Sequence, residues 1–180
     1  MIKRDERGYT MIEVISVLAI IGVPAASAAR LVANMFDRYK SSRVADQIVD
    51  MQKIINRRYV ADGNYSNLSA ETLINEKLVG GDMRSGDNLV HAFGDVSVSG
   101  KANTFDVTFS DLPYNVCVTL ANLNWIIQDS SDLVSLDING TKYNWPEAAK
   151  DAAHQLPMDI NRAMTSCTRD KESAITWEFQ

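Results

Sequence analysis

The sequence predicts an α+β fold, in which a long N-terminal α-helix packs on an antiparallel β-sheet with interspersed helices and one disulfide. A nearly uncharged run over residues 9–29 continues into an apolar stripe with helical spacing. Several later segments alternate apolar and polar residues, as half-buried strands do. Between two of them stands Asn139-Gly140, a strong signal for a hairpin turn.

The second half of the predicted helix is amphipathic. Its apolar residues share one face: Val44, Ile48, Met51, Ile55 and Tyr59. Charged residues occupy the opposite side: Arg43, Asp46, Asp50, Lys53 and Arg57. Packing against a core is enough to explain this stripe. We expect the helix to run from Thr10 to Ala61 and to stop at Asp62-Gly63, since glycine suits the left-handed position after a helix.

The remaining elements follow from local patterns. The predicted strands contain Val96 and Val98; Phe105, Val107 and Phe109; Val134, Leu136 and Ile138; Tyr143 and Trp145; and Ile175, Trp177 and Phe179. In the third strand, Ser135 and Asp137 are expected on the opposite face. Four helices are predicted: from a Ser69 cap to about Leu78, over 112–123 after Pro113, from Pro146 to about Ala153, and over 158–166.

The composition is that of a folded chain of one domain. The 180 residues are 46% hydrophobic and 23% charged, with a net charge of −5. No block of Lys and Arg occurs after the first residues. Because phosphate binding needs clustered cations, the composition argues against a nucleic-acid partner.

One acid, Glu13, lies inside the apolar run of residues 9–29. A run of about 20 apolar residues spans a bilayer as a helix, and Lys3, Arg4 and Arg7 before it favour a cytoplasmic N-terminus. A carboxylate in such a helix costs about 2.5–3.5 kcal/mol at the bilayer centre and less near the interface. Its presence therefore needs an explanation.

Three interpretations of this segment compete. A cleaved secretory signal would use Ala26-Ser27-Ala28 as its cleavage site. A plain membrane anchor would leave Glu13 without a purpose. Cleavage between Gly8 and Tyr9 would place a new α-amino group on Tyr9, one helical turn before Glu13. Amine and carboxylate could then neutralise each other within one chain, or between neighbouring chains whose axial offset they would fix.

The stretch Gly8-Tyr9-Thr10-Met11-Ile12-Glu13 resembles the type IV prepilin motif: a glycine, an aromatic residue, then an acid at the fifth mature position. The resemblance implies cleavage after Gly8 by a prepilin peptidase and methylation of the new amine on Tyr9. It also implies that Glu13 helps to dock a subunit into a growing filament.

The same resemblance divides the chain into three segments. Residues 1–8 would be the cleaved leader, 9–29 a transmembrane and filament-core helix, and 30–180 a globular head that includes the amphipathic half of the helix. Gly22 and Pro24 interrupt the apolar part, because Pro24 removes a backbone hydrogen bond. This point could unwind and let a fibre stretch, or it could be a kink that a membrane helix tolerates.

The two cysteines are Cys117 and Cys167. If the head faces an oxidising compartment, a disulfide is their simplest use, and two unpaired buried thiols are the alternative. Pilins often carry one disulfide in their C-terminal region. The long loop and the helices between the strands resemble type IVb pilins more than the compact type IVa kind.

Catalytic and metal-binding patterns are not found in the sequence. His91 and His154 stand far apart, and neither has a cysteine or a second histidine at ligand spacing, so no metal and no cofactor is predicted. No phosphate-binding glycine loop and no nucleophile elbow occurs. We therefore expect a structural protein and not an enzyme.

The predicted function is that of a structural subunit of a type IV pilus, made as an inner-membrane precursor and assembled into an extracellular filament for adhesion, aggregation or conjugative contact. The resemblance implies as partners further copies of the chain, the peptidase, an inner-membrane assembly platform, and a host or recipient cell surface. A minor pilin or secretion-system pseudopilin would share the motif. A secreted or periplasmic binding domain, released by signal peptidase, is the alternative from another class.

Overall fold

The computed structural model describes residues 11–125 and 132–180. The chain divides into two units, Met1–Lys40 and Ser41–Gln180. Helix α1 is Met11–Tyr59, so the described part of the first unit is helical. Within the described residues, none of the helices combines the length and the apolarity that a bilayer crossing requires. The membrane-spanning role expected for residues 9–29 stays a prediction.

The second unit is built on one seven-stranded antiparallel sheet. Its strands are β1 Arg84–Ser85, β2 Asn88–Val90, β3 Asp95–Gly100, β4 Phe105–Leu112, β5 Leu133–Ile138, β6 Thr141–Asn144 and β7 Ser173–Phe179. The order across the sheet is β1-β2-β3-β4-β7-β5-β6. Strand β7 therefore lies between β4 and β5, although β5 and β6 precede it in the chain.

In the described part of the chain, three further α-helices follow α1: α2 Ala70–Asn75 before β1, α3 Tyr114–Asn122 between β4 and β5, and α4 Ile160–Ser166 between β6 and β7. Short 3-10 turns occupy Gly81–Met83 and Ala152–His154. Ser69 caps α2 as predicted, because its side chain accepts a hydrogen bond from the Thr72 amide. The capping residue of α4 is Asp159, whose carboxylate accepts from the amides of Asn161 and Arg162.

The core confirms the predicted stripe of α1 and the predicted faces of β3, β4 and β7. All five stripe residues from Val44 to Tyr59 are buried, and the five charged residues opposite them are exposed. They share one hydrophobic core with the inward side chains of the sheet, including Phe105, Phe109 and Trp177. The sheet is therefore apolar on its inner face and polar on the other.

The hairpin at Asn139-Gly140 is confirmed. Ile138 pairs with Thr141 across the turn, and Asn139 and Gly140 have φ values of 53° and 88°. Two consecutive left-handed residues are what a two-residue hairpin turn requires, and Asn-Gly adopts them at little cost.

Two predictions about this region are wrong. Residues after Pro146 form turns and a 3-10 segment instead of a helix. The Trp145 indole donates to the Leu133 carbonyl at 2.7 Å, and the Leu156 amide donates to the Asn144 carbonyl at 2.8 Å. These bonds tie both ends of the segment to the β5–β6 hairpin, so the segment runs along the hairpin and does not form an α-helix.

The second error concerns the faces of β5. Ser135 is buried and Val134 is only partly buried. The reason is a β-bulge. Leu133 pairs with Phe179, and Ser135, two residues later, pairs with Glu178, which is only one residue away from Phe179 in β7. The extra residue shifts the alternation by one position. Strands β1 and β2 were not predicted, because they are too short to show a period.

Candidate functional site

The best-organised surface of the second unit is the disulfide segment, defined here as residues 117–167, of which 126–131 lie outside the description. Cys117, in α3, is bonded to Cys167, which directly follows α4. Their Cα atoms are 6.0 Å apart, and both side chains are buried. The bond fastens two helices to each other where the chain turns back toward β7.

Arg162 of α4 fixes the irregular chain before that helix. Its guanidinium donates to the carbonyl oxygens of Ala152, Gln155 and Pro157 at 2.9, 3.0 and 3.2 Å. Its Nε donates to the Asp159 carboxylate at 2.6 Å, which lowers the pKa of Asp159. A planar fork of donors can satisfy several acceptors at once, so one side chain holds the whole turn.

Asn139 performs a similar task on the other side of the segment. Its side-chain amide donates to the Ser166 carbonyl at 3.1 Å, and its Oδ1 accepts from the Ala174 amide at 3.0 Å. The Tyr143 hydroxyl and the Ser166 hydroxyl lie 2.6 Å apart. The β5–β6 hairpin therefore holds both the end of α4 and the start of β7.

Apolar and charged side chains lie side by side on the outer surface of the disulfide segment and of the residues that flank it in the chain. Ile160 and Met164 are four residues apart on α4, with exposures of 48% and 39%. The Tyr114 hydroxyl donates to the Met164 carbonyl at 3.3 Å, and the Arg169 guanidinium lies 5.1 Å from the Tyr114 ring centre. This surface therefore combines exposed apolar side chains with a cationic group.

A charged cluster lies on the polar face of the sheet. Glu178 accepts hydrogen bonds from Lys101, Lys142 and Ser135 at 2.9, 2.6 and 2.8 Å. Burial would raise the pKa of Glu178, but the hydrogen bonds from Lys142, Lys101 and Ser135 lower it to about 2. Both lysines are thereby occupied, and Lys101 also pairs with Asp106. The cluster links neighbouring strands, and because its lysines and carboxylates are paired with one another, it offers little unpaired charge to a ligand.

Neither histidine takes part in a metal centre within the described residues, where no group of three potential ligands occurs. His91 is buried and bonded to backbone groups. His154 contacts Asp151 at 2.7 Å and stacks on the Tyr143 ring. The hydrogen bond between His154 and the Asp151 carboxylate lowers the pKa of Asp151.

The residues that the sequence assigns to processing and assembly lie toward the N-terminus. Gly8 and Tyr9 fall outside the described residues. Glu13 falls within α1, but its side chain is not among those described. Helix α1 is continuous through Gly22 and Pro24.

Comparison with known proteins identifies the family. The family described as PilS N terminal matches residues 38–179. The chain belongs to the type IV pilin family. No curated protein sequence matches it. Type IV pilins are structural proteins, which agrees with a second unit organised around a disulfide and a polar sheet face.

Solved structures of type IV pilins resemble this one. TcpA, a type IV pilin from Vibrio cholerae El Tor biotype, is 13% identical with a TM-score of 0.55, and the match covers 78% of this chain and 99% of TcpA. A type IV b pilin from Salmonella typhi is 20% identical with a TM-score of 0.44, covering 60% and 75% of the two chains. At this identity the likeness to TcpA establishes the fold alone.

Sequence reasoning missed the residues that organise this pilin's disulfide segment. Asp159 and Arg162 stand three residues apart at the start of a helix, which is a usable signal for a cap and ion pair. The three carbonyl oxygens that Arg162 reaches carry no sequence signal. Asn139 was recognised only as a turn residue.

Proposed function

We propose that this type IV pilin is a structural subunit of a IVb-like pilus. The observation that carries the proposal is the family match over residues 38–179. The prepilin-like motif from Gly8 to Glu13 supports it independently, because the motif lies outside the matched residues.

In the proposed pathway, residues 9–29 first hold the precursor in the inner membrane, with the head outside. A prepilin peptidase cleaves after Gly8, and the new amine on Tyr9 is methylated. An assembly platform then moves the subunit into the filament. There the cationic amine of one chain meets Glu13 of its neighbour and sets the axial offset between the two chains.

The exposed side chains of the first unit support packing between subunits. The apolar residues exposed in the single chain include Met11, Ile12, Ile15, Met35, Phe36 and Tyr39. An apolar helix of this kind needs lipid or protein around it. Transfer from lipid into a bundle gains little hydrophobic free energy, so side-chain packing and the Glu13–amine pair must hold the fibre core. Gly22 and Pro24 would be the point at which this core unwinds under tension.

The head would form the outside of the filament. The disulfide segment, closed by the Cys117–Cys167 bond, offers a surface with apolar and charged groups, and we propose that such surfaces determine adhesion, aggregation or contact with a recipient cell. The receptor would be a host or recipient cell surface.

The first test is the intact mass and N-terminal sequence of the native protein, measured without reduction. We expect a chain that begins at N-methylated Tyr9 and is two hydrogens lighter than the reduced form. A chain that begins at Ala29 would contradict the proposal, because the helix needed for the filament core would have been discarded. That result would favour the released binding domain.

The second test is Glu13→Val. We expect normal cleavage and membrane insertion but poor incorporation into fibres, measured as the ratio of fibre to membrane protein. Glu147→Val is the control, since Glu147 is an exposed acid of the head. Normal fibres from Glu13→Val would remove the role of the acid.

The share of this chain in purified wild-type fibres separates a major pilin from a minor pilin or pseudopilin.

A further inference from the structure

Each ring nitrogen of His91 lies within hydrogen-bond distance of a backbone group. It follows β2, is 7% exposed, and its ring stacks on Phe109 with centroids 4.8 Å apart. Nε2 lies 2.8 Å from the Ser110 carbonyl oxygen, and the Phe93 amide lies 3.3 Å from Nδ1. A carbonyl can only accept and an amide N–H can only donate. The ring is therefore neutral, with its hydrogen on Nε2.

These bonds fasten the turn between β2 and β3, residues 91–94, to β4. The His91 amide donates to the Gly94 carbonyl at 2.8 Å and closes the turn. A side chain at Gly94 would collide with Asp111 and with the Ser110 carbonyl, so the turn lies directly on β4. At this point β4 is irregular, with a register shift between Phe109 and Leu112 and a positive φ at Asp111. The irregularity presents the Ser110 carbonyl to the ring.

We propose that His91 is an acid-sensitive latch: when its Nδ1 takes up a proton, the turn over residues 91–94 detaches from β4. The added hydrogen would point at the Phe93 N–H, which replaces a hydrogen bond with a repulsion. It would also place a cation inside the head, and the lost hydration of a buried charge opposes the latched state. The Phe109 ring face offsets part of that cost, because an aromatic face attracts a cation.

The charged groups near His91 oppose this effect only in part. Burial lowers the pKa of His91, whereas its bond to Ser110 and the charges of Asp111 and Asp95 act to raise it; the net direction is downward. Asp95 begins β3 and Asp111 lies on β4, so both elements that flank the ring contribute a carboxylate. Both would be nearer solvent than the ring, since Asp95 is exposed and Asp111 half-buried.

The direction of the pH effect follows from the protons bound in each state. A released His91 has the ordinary pKa of about 6.5, while the latched ring holds its proton less tightly. The open state therefore binds more protons, and its population rises as the pH falls below about 6.5. Because one proton is linked to opening, the population of the open state can rise by at most about tenfold per pH unit. The rise stops at the pH where the ring is also protonated in the latched state, since both states then bind the proton.

Hydrogen exchange on the full chain in detergent tests the latch. After correction for intrinsic exchange rates, we expect opening of residues 91–95 to rise as the pH falls below about 6.5, by at most about tenfold per pH unit. His91→Gln is the key variant, because glutamine can donate to Ser110 and accept from Phe93 but does not titrate. Its opening should not depend on pH. His154→Gln, which removes the other histidine, should behave like the wild type.

Opening that is independent of pH in the wild type, or dependent on pH in His91→Gln, would overturn the proposal. If His91→Gln does not fold, NMR of the wild-type histidine rings decides the matter, because the chain has only two histidines. The latch requires the Nε2–H form at neutral pH and titration below the ordinary value. A ring that titrates at or above that value would exclude it.

Discussion

Lys142 and Glu178 form a close ion pair, with Nζ and Oε2 2.6 Å apart, on the polar face of the sheet. Lys142 belongs to β6 and Glu178 to β7, so the pair reaches across β5. Lys101, after β3, binds the other oxygen of the same carboxylate at 2.9 Å. One side chain of a central strand therefore links both halves of the sheet.

This arrangement predicts a loss of stability in acid. The pKa of Glu178 is about 2 in the folded chain against an ordinary 4.5. Its contribution is complete above pH of about 4.5 and is lost as the pH falls toward 2. Because the two lysines are about half exposed, with side-chain exposures of 48% and 51%, we expect only about 1–2 kcal/mol.

Urea unfolding of Glu178→Gln and wild type over this pH range measures the contribution. The variant should be less stable by about 1–2 kcal/mol near neutral pH, and the difference should shrink in acid. The control is Glu147→Gln, at an exposed acid. A difference between Glu178→Gln and wild type that stays constant with pH would show that the carboxylate charge is not responsible.

Arg162→Lys should loosen the turn before α4. Lysine cannot offer the planar fork that reaches three carbonyl groups and a carboxylate, so we expect a loss of about 1.5–3 kcal/mol in unfolding free energy. Amide exchange of residues 151–156 should accelerate. Arg169→Lys is the matched control, because Arg169 is exposed, and it should cost about 0.5 kcal/mol or less. Equal effects of the two variants would refute the assignment.

Removal of the disulfide is expected to lower the free energy of unfolding by more than Arg162→Lys does. Its cysteines are 50 positions apart, and chain-entropy arguments give about 4 kcal/mol for a loop of that length. Replacing Cys117 and Cys167 together by Ala should lower the unfolding free energy by about that amount. Reduction should destabilise the wild type similarly and leave the double variant unchanged. Wild-type stability of the double variant would contradict the prediction.

Gly100→Ala tests a close backbone contact. A Cβ at Gly100 would collide with the Tyr65 carbonyl and lie 2.8 Å from the Leu68 Cβ. Both neighbours are held by backbone hydrogen bonds, since the Gly100 amide donates to the Leu68 carbonyl and the Leu68 amide donates to the Tyr65 carbonyl. We expect a loss of about 1–3 kcal/mol in thermal or urea unfolding. Gly81→Ala, where a Cβ meets nothing within 4 Å, should be nearly neutral.

Local patterns predicted much of the second unit because they report local physics. The stripe from Val44 to Tyr59 reflects one buried face of a helix, and the alternation in β3, β4 and β7 reflects one buried face of a sheet. The Ser69 cap and the Asn139-Gly140 turn depend on neighbouring residues only. Each of these was recognisable without knowing the rest of the chain.

The errors arose where distant residues decide the outcome. Pro146 is a sound helix-start signal, but the bond from Trp145 to Leu133 overrides it. The bulge at Val134 depends on the register with β7. The partners of Arg162 and Glu178 come from other parts of the chain, so no spacing in the sequence revealed them.

The position of β7 has a consequence for folding of the chain. Strands β1 to β6 precede β7 in the sequence, so wherever the chain emerges N-terminal end first, the β3–β4 and β5–β6 hairpins are present before the strand that joins them. Each then presents an open edge, at β4 and at β5, to any other unfolded chain. Folding of the sheet is therefore completed in a late step. Until that step, a chaperone that covers strand edges would protect the chain from aggregation.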